Sequence, residues 1–328
     1  MDVTSAPTLA SIATEVDAAL AALDLPDEPA GLYGPVRYVL DGGGKRIRPA
    51  LVLLAAEAFG GADARDRALP AALGVEVFHN FTLVHDDIMD HASTRRGRPT
   101  VHERWDEPTA ILAGDLMMGL AARLVVGAEG PDPAALAEAH YRTVARLCEG
   151  QTLDMAFEAR RDVTVDEYLA MIDRKTGALL AHALEVGALV GGADAEAVGA
   201  LAEAGVPLGR AFQIQDDLLD LTADPATWGK PVGGDLVEGK RTFLVLTARE
   251  RAEAEDADWL GPVLDGGLDP DRVPAVRERL AALGVLDSAA HAVARHTEAG
   301  RAALDALPPG PAADALRALA LGLATRTL

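Results

Sequence analysis

Apolar positions along this 328-residue chain recur at three- and four-residue intervals almost throughout, the spacing that places one face of a helix against a core. The pattern predicts a helix over 34–58, interrupted or entered at "DGGGKRIRP", and a long apolar helix over 67–90 that ends in aspartates. Helices over 108–126, 133–160, 166–190 and 195–222 follow, bounded by breakers such as "GAEGPD", "RRDVTVDE" and "VGGADAE". Thr164 and Glu167 have the spacing of a capping box. A Gly- and Pro-bearing loop, "DPATWGKPVGGDLVEGK", spans 224–240, and further helices are predicted over 241–254, 270–283, 286–306 and 311–327. No stretch alternates as a strand does, so the expected class is all-α, with roughly ten or more helices. The one linker candidate, "LPPGPAA" at 307–313, lies too late to delimit a second domain, and a single domain over 1–328 is expected.

Composition narrows the partners. Hydrophobic residues make up 49% of the chain, enough for a sizeable core, while aromatics are only 4%. Lysine and arginine total 30 against 51 acids, giving 30 − 51 = −21. Such a charge repels nucleic acid and anionic lipid, so neither is expected as a partner. An anionic substrate would have to be met by local basic groups or metal ions. The single cysteine, Cys148, excludes an internal disulfide and a cysteine-rich metal site, and its apolar helical context predicts a core position. The start "MDVTSAPTLASIATEVDAAL" lacks the basic and apolar blocks of a signal peptide, and no run of eighteen apolar residues appears. The expectation is a cytoplasmic protein without a membrane span.

The chemistry lies in an echo. "HDDIMD" at 85–90 returns as "QDDLLD" at 215–220, with first aspartates 216 − 86 = 130 positions apart. On a helix Asp86 and Asp90 share a face, with Asp87 one position round; Asp216, Asp217 and Asp220 repeat the geometry. Like charges one turn apart repel, aspartate is a poor helix former, and both clusters sit near helix C-termini, where the macrodipole disfavours anions. Three local rules are broken twice in the same way, which marks a functional site. Carboxylates in this arrangement suit magnesium, which takes a few of them together with water and substrate phosphates. Arg95, Arg96 and Arg98 follow the first cluster directly.

These motifs, taken with "GGKRIRP", "RRGRPT", "GD" at 114–115, "GQTLD" at 150–154, "KTGALL" at 175–180 and the glycine–lysine loop "GKPVGGDLVEGKRT" at 229–242, resemble the trans-isoprenyl diphosphate synthases of the polyprenyl synthetase family, in that family's order. The resemblance implies a bundle of long helices around a central cavity, with the aspartate motifs facing each other across its mouth and about three magnesium ions between them. Manganese is a substitute metal. It implies a head-to-tail prenyltransferase. An allylic diphosphate (dimethylallyl, geranyl or farnesyl) ionises, the double bond of isopentenyl diphosphate attacks, and loss of a proton completes the extension. By the same resemblance Arg95, Lys175, Lys230 and Lys240 surround the allylic diphosphate, while Lys45, Arg46, Arg96 and His102 belong to the isopentenyl diphosphate site, with Arg48 and Arg98 supporting. Gln213 and Thr176 match residues near the reacting carbons, and Asp235 matches one on a closing loop. Asp86, Asp87, Asp90, Asp216, Lys175 and Lys230 are the expected catalytic set, and all six aspartates the metal ligands. The family is usually homodimeric.

Product length should be set one turn before the first cluster. Phe81 and Thr82, without an insertion inside "DDIMD", resemble the short-chain synthases that stop near geranylgeranyl diphosphate; Met117 and Met118 are the other floor candidates. A farnesyl or longer polyprenyl product is the alternative. A class I terpene cyclase normally has an Asn/Ser/Glu second motif and needs no isopentenyl site. A non-catalytic subunit of a heteromeric synthase typically loses a motif that this chain keeps.

Overall fold

The computed structural model describes residues 8–223, 232–252 and 258–325. Helices dominate, as the periodicity predicts: α1 (Leu9–Ala21), α2 (Ala30–Leu40), α3 (Ile47–Met89), α4 (Val101–Arg104), α5 (Glu107–Val126), α6 (Pro133–Glu158), α7 (Val165–Ile172), α8 (Ala178–Gly191) and α9 (Ala195–Thr222). After them come α10 (Gly234–Glu238), α11 (Phe243–Arg251), α12 (Leu260–Leu264), α13 (Val273–Ala282), α14 (Val285–Ala303) and α15 (Pro311–Thr325). The β structure among the described residues is a two-residue-per-strand hairpin, β1 (Thr94–Arg95) against β2 (Arg98–Pro99), antiparallel with Arg95 opposite Arg98.

The chain packs as two compact units. The first comprises Met1–Thr143, Leu179–Ala202 and Leu304–Leu319. Its spine is α3, 43 residues long, against which α1 and α5 pack. Val52, Leu53, Val75, Val77 and Phe78 of α3 are fully or almost fully buried. The stretch "FGGADARD", which the pattern leaves between two helices, is instead a kink within α3: Gly61 takes φ 72°, open to glycine because it has no Cβ. By contrast, the predicted helix 34–58 is two helices, since Gly43, Gly44 and Arg46 all have positive φ and break the run. Helix α1 was not signalled by the sequence reading; Thr8 caps it by accepting from the Ser11 N–H at 3.2 Å. Helix α5 starts at Asp106, which caps Thr109, and is long and apolar enough to cross a membrane by length and composition alone. Here Ala110, Ala113, Met117, Ala121 and Val125 of that helix are buried.

The second unit comprises Val144–Ala178, Glu203–Ala303 and Ala320–Leu328. Its core gathers Phe157, Tyr168, Met171, Ile214, Leu246 and Leu280 with their neighbours. The capping box forms as its spacing predicts, Thr164 accepting from the Glu167 N–H while the Glu167 carboxylate accepts from the Thr164 N–H. The predicted continuous helix over 166–190 does not form. A single π turn, Asp173–Gly177, separates α7 from α8. Cys148 is exposed on α6 rather than buried in the core.

Candidate active site

In the first unit the last turns of α3 carry Asp86, half-buried, Asp87, buried, and Asp90, exposed. A hairpin then turns the chain back over this helix end. Its turn is built from Arg96 at φ 53° and Gly97 at φ 72°. Arg95 of β1 donates from Nε to Asp87 at 2.7 Å. Burial raises the Asp87 pKa, and Arg95 opposes that rise. Arg96 reaches the other way and donates to the Gly43 carbonyl. A Cβ on Gly44 would lie 3.2 Å from the Arg96 guanidinium, so the glycine-rich turn leaves the room that this arginine occupies. Arg98 stacks 3.9 Å from the centre of the Tyr38 ring, and the Tyr38 hydroxyl donates to the Pro99 carbonyl at 2.8 Å, so the aromatic ring props β2. Asn80, Asp87, Arg95, Arg96, Arg98 and Thr100 line one cleft.

The glycine-rich turn presents two arginines differently. Arg46 is buried and fully engaged: Nε donates to Asp17 at 2.7 Å, one terminal nitrogen to Glu76 at 2.6 Å, the other to the Leu40 carbonyl at 3.1 Å. Burial works against its charge, but Glu76 and Asp17 more than offset that and raise its pKa. Arg48, two residues on, has a buried Nε without a protein partner, and its pKa is lowered by burial and by Arg96. Lys45 is exposed. His102 lies on α4 with Nδ1 buried and unpartnered and Nε2 3.8 Å from Glu103.

One member of this group escaped the sequence reading. His79 has its pKa lowered well below 6.5 by burial and by Arg48, Arg96, Arg95 and Arg46, so the ring is neutral at pH 7. Its position, seven residues before Asp86, is two helical turns up the same face, which is the signal that could have found it. Glu76 serves several of these cations at once, leaving the group short of carboxylates. Such a group is fitted to receive an anion.

Rings continue from the aspartates into the core of this unit. His85 stacks on Phe81 at 4.8 Å, Phe81 on Phe78 at 5.4 Å, Phe78 on His140 at 5.1 Å, and His140 on His182 at 5.2 Å. Phe81 is half-buried and Phe78 is 1% exposed. Thr82 turns its hydroxyl onto the His79 carbonyl at 2.8 Å. The Gly114 of "GD" leaves space for the His85 ring, whose Nε2 a Cβ there would meet at 2.2 Å.

In the second unit α9 carries Asp216, half-buried, with Asp217 and Asp220 buried. Asp217 accepts from the Tyr168 hydroxyl at 2.7 Å, the Phe243 N–H at 2.9 Å and Gln213 Nε2 at 3.3 Å. Burial and the neighbouring Asp235 push its pKa up to about 7 against those donors. Asp220 accepts the Asp235 N–H at 3.3 Å. Lys240 lies 3.5 Å from Asp235 and 2.7 Å from Glu238. Lys175, on the π turn, donates to Asp154 of "GQTLD", and the Thr176 hydroxyl donates to Gln213 Oε1 at 3.4 Å. Asp154 and Tyr168 had no assigned role in the sequence reading, because their partners come from distant elements. Lys230 lies outside the described residues.

The donor set suits magnesium: hard carboxylate oxygens with basic side chains beside them. Among the described residues no three potential ligands already converge at binding distance, as expected where diphosphate and water oxygens complete the shell.

The comparisons with known proteins agree with this arrangement. The polyprenyl synthetase profile matches residues 29–279. The chain belongs to the polyprenyl synthetase family. It is 42% identical over 300 residues to geranylgeranyl diphosphate synthase of Methanosarcina mazei, covering 91% of this chain and 90% of that one. It is 41% identical over 316 residues to geranylfarnesyl diphosphate synthase of Natronomonas pharaonis, covering 92% and 91%. The crystal structure of the geranylgeranyl pyrophosphate synthetase from Pyrococcus horikoshii superposes with a TM-score of 0.89 at 39% identity, covering 96% of this chain and 97% of that one. As a member of this family the chain is a trans-prenyltransferase with the all-α isoprenoid synthase fold, acting on isoprenyl diphosphates. The family is magnesium-dependent in general.

Proposed function

We propose that this trans-prenyltransferase adds isopentenyl diphosphate to an allylic diphosphate and releases geranylgeranyl diphosphate. The observation that carries the reading is the group of Arg48, Arg96 and neutral His79, short of carboxylates and unlike an ordinary surface ion-pair network. It suits a diphosphate, with Lys45 at its rim. Arg46, whose three donors are taken by Asp17, Glu76 and Leu40, holds the turn that presents Lys45 and Arg48 rather than gripping substrate. His102, beside Asp87, keeps its assignment to the isopentenyl side.

On the allylic side Arg95, Lys175 and Lys240, with Lys230, take up charge on the departing diphosphate. Cations fixed there favour the transition state over the bound substrate, since the leaving oxygen gains charge only as the carbon–oxygen bond breaks. Gln213 and Thr176 stand at the reacting carbons. The isopentenyl double bond then forms the new carbon–carbon bond, and a proton is lost from the adjacent carbon. Asp86, Asp90, Asp216 and Asp220 would hold magnesium, about three ions in all, and manganese would substitute. Bound magnesium supplies Lewis-acid stabilisation of the diphosphate. Asp87 and Asp217, each buried on internal donors, orient their clusters. Both clusters serve one reaction, which is the sense in which 1–328 acts as a single catalytic domain.

Length is assigned to Phe81, because Phe78 stands fully packed behind it. Relatives named geranylgeranyl and geranylfarnesyl diphosphate synthases, at 42% and 41% identity, bracket that choice. A homodimer accounts for the apolar side chains left exposed on α5 and α6, Leu112 at 59% and Tyr141 at 60%. We place the enzyme in the cytoplasm, where a lone exposed thiol stays reduced. The test is incubation with isopentenyl diphosphate and each allylic primer, with and without magnesium, followed by chromatography of the dephosphorylated products. Magnesium-dependent formation of a twenty-carbon alcohol is expected. No incorporation would make the chain a non-catalytic subunit, and a cyclic hydrocarbon would make it a cyclase.

A further inference from the structure

A π turn carries one residue more than an α turn and tends to occur where function requires it. In this protein three contacts hold Asp173–Gly177 in that form, all within the second unit. On one side a Cβ at Gly150 of α6 would lie 2.5 Å from the Lys175 nitrogen and 2.9 Å from the Arg174 carbonyl carbon. On the other a Cβ at Gly209 of α9 would lie 2.5 Å from the Gly177 Cα. The turn is pressed between two helix backbones that leave no room for a methyl group. Next to Gly209, Arg210 grips the first residue of the turn: Nε and one terminal nitrogen each donate to Asp173 at 2.6 Å. Both partners are about a quarter exposed, and a planar two-point fork of this kind fixes direction as well as distance.

The turn holds two substrate-facing residues of the reading above. Lys175 sits on Asp154, and Thr176 reaches Gln213, which in turn reaches Asp217 at 3.3 Å. A side-chain relay therefore runs from the turn to the carboxylates of α9. We propose that Gly150, Gly209 and the Asp173–Arg210 ion pair are positioning residues for prenyl transfer: they hold the π turn, and the extra residue in it aims Lys175 and Thr176 at the allylic substrate. The inference rests on the assignment of Lys175 and Thr176 to that substrate.

The experiment compares Arg210→Met, Arg210→Lys, Asp173→Asn and Gly209→Ala with the parent and with Lys175→Ala, in steady state on both substrates. Melting temperature and circular dichroism are recorded for each. Misplacement by about 1 Å can cost on the order of 100-fold in rate. Arg210→Met and Asp173→Asn are expected to lower kcat by about 10- to 100-fold with the KM for isopentenyl diphosphate within about twofold of the parent. Arg210→Lys, which keeps the charge but not the fork, is expected to recover part of that loss. Should Gly209→Ala fail to fold, the three ion-pair variants still decide. Parent-like kcat in Arg210→Met and Asp173→Asn, beside a disabled Lys175→Ala, overturns the proposal. So does a loss matched by the fraction of unfolded protein. Parent-like kinetics in Lys175→Ala overturn instead the substrate assignment on which the proposal rests.

Discussion

Replacing Phe81 with alanine tests the length assignment directly. The Phe81 ring lies between His85, at 4.8 Å, and Phe78, at 5.4 Å, and only Phe81 of the two phenylalanines is accessible. Truncation removes a ring's volume and no more, because the Phe78 ring, 1% exposed and packed on His140, does not move into the space. The opened volume is close to that of one five-carbon unit, so the product is expected to lengthen by one unit, to twenty-five carbons. Burying five more carbons gains roughly 4 kcal/mol at about 0.8 kcal/mol each, which retains the intermediate for another cycle. Stability should fall by less than the ~3–5 kcal/mol of a fully buried Phe→Ala change, since Phe81 is half-buried. Asp86 is five residues on, about 7 Å along the axis at 1.5 Å per residue, so isopentenyl incorporation should stay within a fewfold of the parent. Radiolabelled product, dephosphorylated and resolved by chain length, gives the answer. The Phe78→Ala/Phe81→Ala double variant should lengthen the product again. An active Phe81→Ala enzyme with an unchanged product refutes the reasoning and moves the floor to Met117 or Met118. A shorter product would mean that the direction of chain growth is misread.

Asp86→Ala and Asp216→Ala are each expected to lower turnover by orders of magnitude while circular dichroism and melting stay near the parent; turnover at the parent level in either would sink the two-cluster reading. Lys45→Ala should raise the KM for isopentenyl diphosphate far more than that for the primer, and Lys240→Ala should do the reverse or lower kcat, so equal effects on both constants in both variants would reject the division of basic residues. Stability should fall on acidification because of His140 and His182, whose pKa values burial depresses to about 4 and about 3. A histidine with a depressed folded pKa contributes fully above about 6.5 and loses that contribution as pH falls towards the folded value. Between pH 7 and 5 the loss is at most about 2 kcal/mol per ring. His182→Leu should therefore flatten the fall in urea midpoint over that range, and an unchanged pH dependence would show that the pair does not govern acid lability.

Periodicity, the two aspartate clusters and the order of the motifs determined the helical class, the chemistry and most of the site, because each of those signals is local. An i, i+4 pair of aspartates shares a face in any helix, and Thr164 with Glu167 needs only its own turn to form a capping box. Tertiary structure decided what depends on partners far along the chain. Arg46 and Arg48 stand two residues apart and read alike, yet Glu76 and Asp17 engage the first while the second keeps a bare buried Nε. Asp217 and Asp216 are adjacent, and only the arrival of Tyr168 and Phe243 turns one into an anchor. The break in the predicted helix 166–190 comes from the backbones of Gly150 and Gly209, which lie outside any window that reads that segment. The Gly61 kink, which the pattern takes for a gap between helices, is continuous because the flanking apolar faces both bury in one core. A side chain's type and spacing are written locally; whether its polar atoms are spent on the protein or left for a ligand is fixed only when distant elements close around it.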